Sequence, residues 1–167
     1  MASNKTALLG CAAALLVMSS GCAGMAPGNV ALRPDGSPRA EKCPEGAFKA
    51  MESLQLAVGD AGIVVLDANQ TDTSPITLYD GPVESFLDDD LGLLESPARL
   101  YGHVWTSGAQ VVVRYYEAHP LRGGKRVPIC AVARAAKGQL RKRADSKPGT
   151  AILEFPRAGV YIVDEFR

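Results

Sequence analysis

Histidine is scarce in this chain, with only His103 and His119 among 167 residues. A catalytic triad would have to be built on one of the two. His103 falls in mid-strand among aromatic residues, and His119 precedes Pro120 near a turn, so both read as packing or surface residues. There is no Gly-x-Ser-x-Gly elbow and no phosphate-binding Gly-rich loop. Neither a His-Arg-Asp catalytic loop nor an Asp-Phe-Gly occurs, which excludes kinase chemistry. No second Cys or His stands at metal-ligand spacing. The run Asp88-Asp89-Asp90 lacks the alternating acids, central Gly and closing Glu of a calcium loop, and reads as a solvated acidic loop. Neighbouring acids such as Asp164-Glu165 would point to opposite faces of a strand, so they make no acid/base pair. Net charge is also missing, since 18 basic residues meet 18 acidic ones. Nothing in that balance asks for nucleic acid or an anionic surface as partner. These absences leave no catalytic residues, no cofactor, no metal and no nucleic-acid partner to expect.

No apolar run reaches the roughly 20 residues that span a bilayer core. The longest, Ala7 to Met18, follows a polar start carrying Lys5 and ends at Ser19-Ser20-Gly21-Cys22. A charged start, a short apolar centre and small exit residues mark a secretory signal over residues 1–21. The exit resembles the lipobox of bacterial lipoproteins, in which the cysteine thiol receives a diacylglyceryl group before cleavage. Ser19 departs from that pattern, which usually has an aliphatic residue three before the cysteine. The resemblance implies a mature chain that begins at Cys22 and is held to a membrane by several acyl chains. Ala23, where an Asp would signal retention, implies the outer membrane of a Gram-negative cell. Residues 22–42 are rich in Gly, Pro, Asn and Ser without apolar periodicity, and read as a flexible tether. Residues 43–167 are one ordinary domain.

Of four cysteines, Cys11 leaves with the signal and Cys22 takes the lipid. In an oxidising compartment the remaining Cys43 and Cys130 are expected to pair.

The domain reads as strands. Ala61 to Asp67, Ile76 to Tyr79, Arg99 to Thr106, Ala109 to Glu117, Arg126 to Arg134, Thr150 to Phe155 and Gly159 to Phe166 carry β-branched, aromatic and alternating patterns. Residues 47–58 read as a short turn or helix leading into a strand, and 83–97 as a long connection. Ser107-Gly108 suits a two-residue hairpin turn, setting Leu100 opposite Tyr115. A tight turn at Gly123-Gly124 would place Cys130 and Val132 on the core side with Tyr115. The expected fold is all-β, a mainly antiparallel sandwich or barrel with at most one short helix.

The first hairpin has one apolar face and one mixed face. Tyr101, His103, Trp105, Arg114 and Tyr116 lie on the mixed face, whose aromatic groups suit sugars or partner proteins and whose Arg114 can add cation–π contacts. Lys137, Arg141, Lys142, Arg143 and Lys147 form a basic stretch. A patch for anionic glycan, lipopolysaccharide or nucleic acid is one reading of it. No aromatic residue interleaves the charges, so a solvated loop is preferred.

Three segments together resemble a group of small myxobacterial lipoproteins: the Ser-Gly-Cys exit, Cys43-Pro44-Glu45-Gly46-Ala47, and Val127 to Ala133. Some of that group are labelled protein kinases. The resemblance lends no catalytic residues, and its two cysteine motifs imply the Cys43–Cys130 bridge. The pattern Arg-Leu-x-Gly-x-Val and Val-x-Val-x-Tyr is also similar to barrels of TrbI-type conjugation channels, a pattern generic hairpins share. The expected function is a lipid-anchored envelope protein acting as a non-enzymatic binding or structural module, with an envelope protein or glycan as partner. The alternatives are an envelope glycan or peptide hydrolase, or an accessory regulator of a signalling or secretion system.

Overall fold

The computed structural model describes residues 28–122 and 124–167. The signal reading of 1–21 and the lipid on Cys22 lie outside the described residues. Within them the chain forms β1 (Glu41–Lys42), α1 (Ala47–Ser53), β2 (Ala61–Val65), β3 (Ile76–Tyr79), β4 (Gly81–Leu87), β5 (Arg99–Trp105), β6 (Gln110–His119), β7 (Val127–Arg134), β8 (Leu140–Arg141), β9 (Thr150–Leu153), β10 (Arg157–Ile162) and β11 (Glu165–Phe166). Strands β2, β4, β5, β6, β7 and β10 each pair antiparallel with the next, and β10 pairs back onto β2. The sheet is therefore a closed six-stranded barrel, and closure removes its open edges.

One set of alternating residues fills the inside. Val64, Leu87, Leu100, Val104, Val113, Tyr115, Ile129, Val160 and Ile162 are all buried there. Small residues make room for large ones: Ala131 stands opposite Tyr115, and Ala133 opposite Val113. Gly102 also faces Tyr115, and a Cβ there would lie 2.9 Å from the ring's Cδ1 and collide with the Arg114 carbonyl oxygen. The Tyr115 hydroxyl meets Ser85 Oγ at 2.9 Å, and Ser85 in turn donates to the Leu66 carbonyl at 2.7 Å. The barrel's buried hydroxyls thus satisfy each other.

Several expectations need correction. Residues 81–87 are barrel strand β4, not connection; Val83 and Ser85 face inward and pair with Gly102 and Leu100. Residues 54–58 form no strand, because Leu54 and Leu56 turn to meet the loop at 91–94, where the Leu93 amide donates to the Leu54 carbonyl at 2.8 Å. Of the closing strands, β9 pairs with β3, β10 with β2 and β7, and β11 with β1.

The β5–β6 hairpin is longer-looped than a two-residue turn. Its pairing runs Trp105 to Val112 and Val104 to Val113, and Tyr101 pairs with Glu117 beyond a bulge. The loop opens because Gln110 and Val111 pair with β8 instead, while Thr106 donates its amide to Asp80 Oδ1 at 2.8 Å. A two-residue slip preserves side-chain parity, so the predicted faces survive until the bulge. In the β6–β7 hairpin the slip is one residue. Ala131, not Val132, stands opposite Tyr115, while Val132 stands opposite Arg114. Cys130 and Val132 therefore lie on the outer face of the barrel.

The bridge itself is present. Cys43 joins Cys130, with Cα atoms 5.3 Å apart and 87 positions separating them. It fastens the entry to α1 onto the outside of β7. Part of the segment read as tether belongs to the folded body. Leu32 bridges Pro38, and Glu41–Lys42 pair with Glu165–Phe166, so residues 28–42 form a strap laid on the barrel wall.

Candidate functional site

The five residues of the mixed hairpin face do share the outer surface of β5 and β6, as alternation requires. They do not form an open platform. The strap and β11 cover Trp105, Arg114 and Tyr116, which are all buried. The Arg114 guanidinium sits 5.3 Å from the Trp105 ring centre and 5.2 Å from that of Phe166. It bonds Glu41 Oε2 at 3.2 Å and the Arg39 carbonyl at 2.9 Å. Tyr116 donates to the same Glu41 oxygen at 2.9 Å, and its ring meets Phe166 edge-on at 5.0 Å. A buried cation needs such partners, because desolvation alone would cost several kcal/mol. The Arg114 Nε has no hydrogen-bond partner among the described residues. This cluster holds the two ends of the domain together.

His103 packs against Trp105, ring centres 4.4 Å apart, and Gly28 lies so close that a Cβ there would strike the imidazole. Burial lowers its pKa, and the charge on Asp80 opposes that shift. Tyr101 lies apart from the cluster. Arg126 stacks over it at 3.8 Å, and its hydroxyl reaches Glu84 at 3.3 Å. His119 lines a cavity of about 430 Å³ with Phe86, Pro97, Arg99, Pro120 and Leu121, and no carboxylate is among those residues. No group of three His, Cys, Asp or Glu side chains placed to hold a metal occurs among the described residues.

Two further concavities lie at the other end of the hairpins. One, of about 210 Å³, lies beneath the strap and is walled by Arg33, Arg114, Arg134 and Arg167, with Asp35 among them. Asp35 is held below the usual carboxylate range mainly by the Ser37 hydroxyl and amide, which both bond its Oδ1. The other is an open groove of about 640 Å³ between the turn at 135–141, the end of β9 and the start of β10. Its size is that of small-molecule sites. Leu140 and Leu153 form its floor, Ile63 and Phe155 rise from it, and Lys137, Arg141, Arg157 and Glu154 stand around it.

The basic stretch resolves into separate tasks. Leu140–Arg141 pair with Gln110–Val111 as β8, Lys142 bonds the Thr106 carbonyl, and Arg143 faces Asp145 and Glu154. Asp88 bonds Arg157 at 2.6 Å. The groove was not foreseen from sequence. Its one available signal was Phe155, an aromatic residue just before Pro156 and near the basic stretch, and it read there as the end of a strand.

The chain matches no protein-family model, no curated protein and no solved structure.

Proposed function

We propose that this chain is a lipid-anchored protein of the Gram-negative outer membrane, held through Cys22, whose barrel is a binding or structural module and not an enzyme. The observation that carries the binding reading is the open groove beside the 135–141 turn, with its apolar floor and charged rim. The sealed Arg114 cluster supports the same reading. It commits aromatic and arginine side chains to holding the strap and β11, whereas the groove presents exposed apolar groups on a concave surface. An envelope component is the expected partner. No observation favours the hydrolase alternative.

Crosslinking in the intact envelope followed by capture of the full chain tests the module. Enrichment of an envelope component, reduced by substitutions at Phe155 or Arg141, is expected. Hydrolysis of envelope glycan or peptide by the purified chain, abolished by His103→Ala or His119→Ala, would overturn it. The anchor is tested separately. Cys22→Ala is expected to abolish incorporation of labelled fatty acid and leave the longer precursor; unchanged lipid labelling and size would remove the anchor.

A further inference from the structure

We infer that the groove takes an anionic membrane lipid, its hydrocarbon chain along the floor and its headgroup phosphate at the rim. This rests on the binding-module reading and names its ligand.

Three observations point to an amphiphile. The first is the floor. Leu140 and Leu153 are buried at its base, while Ile63 is 38% and Phe155 68% exposed. Gly159 stands opposite Ile63 in the β2–β10 ladder, and the Tyr161 ring packs over it where a side chain would lie. An exposed ring over a hollow apolar floor costs free energy in water and gains by meeting hydrocarbon.

The second is the charge at the rim. Arg157 is already paired with Asp88 at 2.6 Å, and Glu154 lies 3.8 Å from Arg143. Lys137 and Arg141 form no ion pair among the described residues. The rim thus keeps two uncommitted positive charges beside the apolar floor. A neutral apolar ligand would leave them unused, and a free inorganic anion would leave the floor unused. A phosphate on a hydrocarbon chain uses both, with charge-assisted hydrogen bonds at one end and area burial at the other.

The third is what the lining lacks. Gln139 is its one neutral polar side chain, too little to pair the many hydroxyls of a sugar. A lipid asks for no such set of hydrogen bonds.

The probe is dodecyl phosphate, kept below its micelle concentration and titrated into the purified full chain while backbone amide shifts are followed. Saturable shifts confined to residues 135–141 and 153–159 are expected. Lys137→Glu with Arg141→Glu, and separately Phe155→Ser, should each weaken binding about tenfold or more with the thermal midpoint unchanged. Dodecanol or inorganic phosphate binding as tightly as dodecyl phosphate overturns the inference, and so does the absence of shifts in the groove. In the envelope, Phe155→p-benzoylphenylalanine should give a photo-adduct of one phospholipid's mass. A protein adduct there overturns the lipid ligand while leaving the binding module standing.

Discussion

Gly102 is held to glycine by a close approach and not by an unusual backbone angle. Its missing Cβ leaves room for the Arg114 carbonyl and the Tyr115 ring. Gly102→Ala is expected to cost about 1–3 kcal/mol or more by overpacking, read as a drop in the urea midpoint. Tyr115 and Tyr116 are buried phenols. Burial raises both pKa values; the Ser85 hydrogen bond opposes this at Tyr115, and Glu41 adds to it at Tyr116. A phenol whose folded pKa lies above its unfolded value contributes stability that is full below about pH 10 and is lost as pH rises beyond it. Stability should therefore fall above pH 10, and Tyr115→Phe or Tyr116→Phe should flatten that limb in pH-dependent unfolding curves. At this scale the sequence was legible by type. Tyr, Arg and Trp on alternate positions gave the correct face of β5 and β6, but alternation says nothing about what lies on that face.

Among the elements, β3 carries a device for its exposed edge. One side of β3 pairs with β9, and on the other the Gln70 side chain both donates to the Thr77 carbonyl at 2.8 Å and accepts from the Thr77 amide at 3.0 Å. The amide stands in for a neighbouring strand, a guard against edge-to-edge association. Gln70→Ala should cost about 1–3 kcal/mol by leaving both groups unpaired and should raise aggregation measured by light scattering. The disulfide acts on α1 and the strap. In the chain-entropy picture a loop this long is worth about 4–5 kcal/mol. Cys43→Ser with Cys130→Ser should lower stability by up to that amount and raise hydrogen exchange first in α1 and residues 28–42. Strands with β-branched runs, such as β2 and β6, were legible. Strand β4 was not, because Gly81-Pro82 at its start and the acids after it read as loop, and only its two partners make it a strand. The one-residue slip that moved Cys130 to the outer face was invisible for a similar reason. Register in the second hairpin is set by a bulge near Tyr116, which no local pattern announces.

In the whole molecule, the barrel strands follow one another in chain order, and the two excursions between β2 and β4 and between β7 and β10 meet as the β3–β9 ribbon. The chain ends meet as well, with β1 on β11 and Phe166 fully buried under the strap. That closure has an acid-sensitive point. Burial against Trp105 and Gly28 lowers the His103 pKa, so the folded state disfavours the imidazolium. Its contribution is present above the unfolded value of 6.5 and is lost as pH falls below it. Lowering pH from 7 to 5 should loosen residues 28–42, measured by hydrogen exchange, and His103→Gln should remove that step.

The sequence alone determined the all-β class and the pairing of Cys43 with Cys130, because alternation, turn residues and cysteine count are local properties. It also placed the five mixed residues on one face. Tertiary structure decided that the sheet closes as a barrel, that the bridge lies on its outside, and that the strap and β11 bury the mixed face. It also decided that Phe155, Lys137 and Arg141 share a groove. Those outcomes depend on register and on contacts between segments far apart in the chain, such as Arg114 with Glu41, whose energies arise only once the barrel has brought them together.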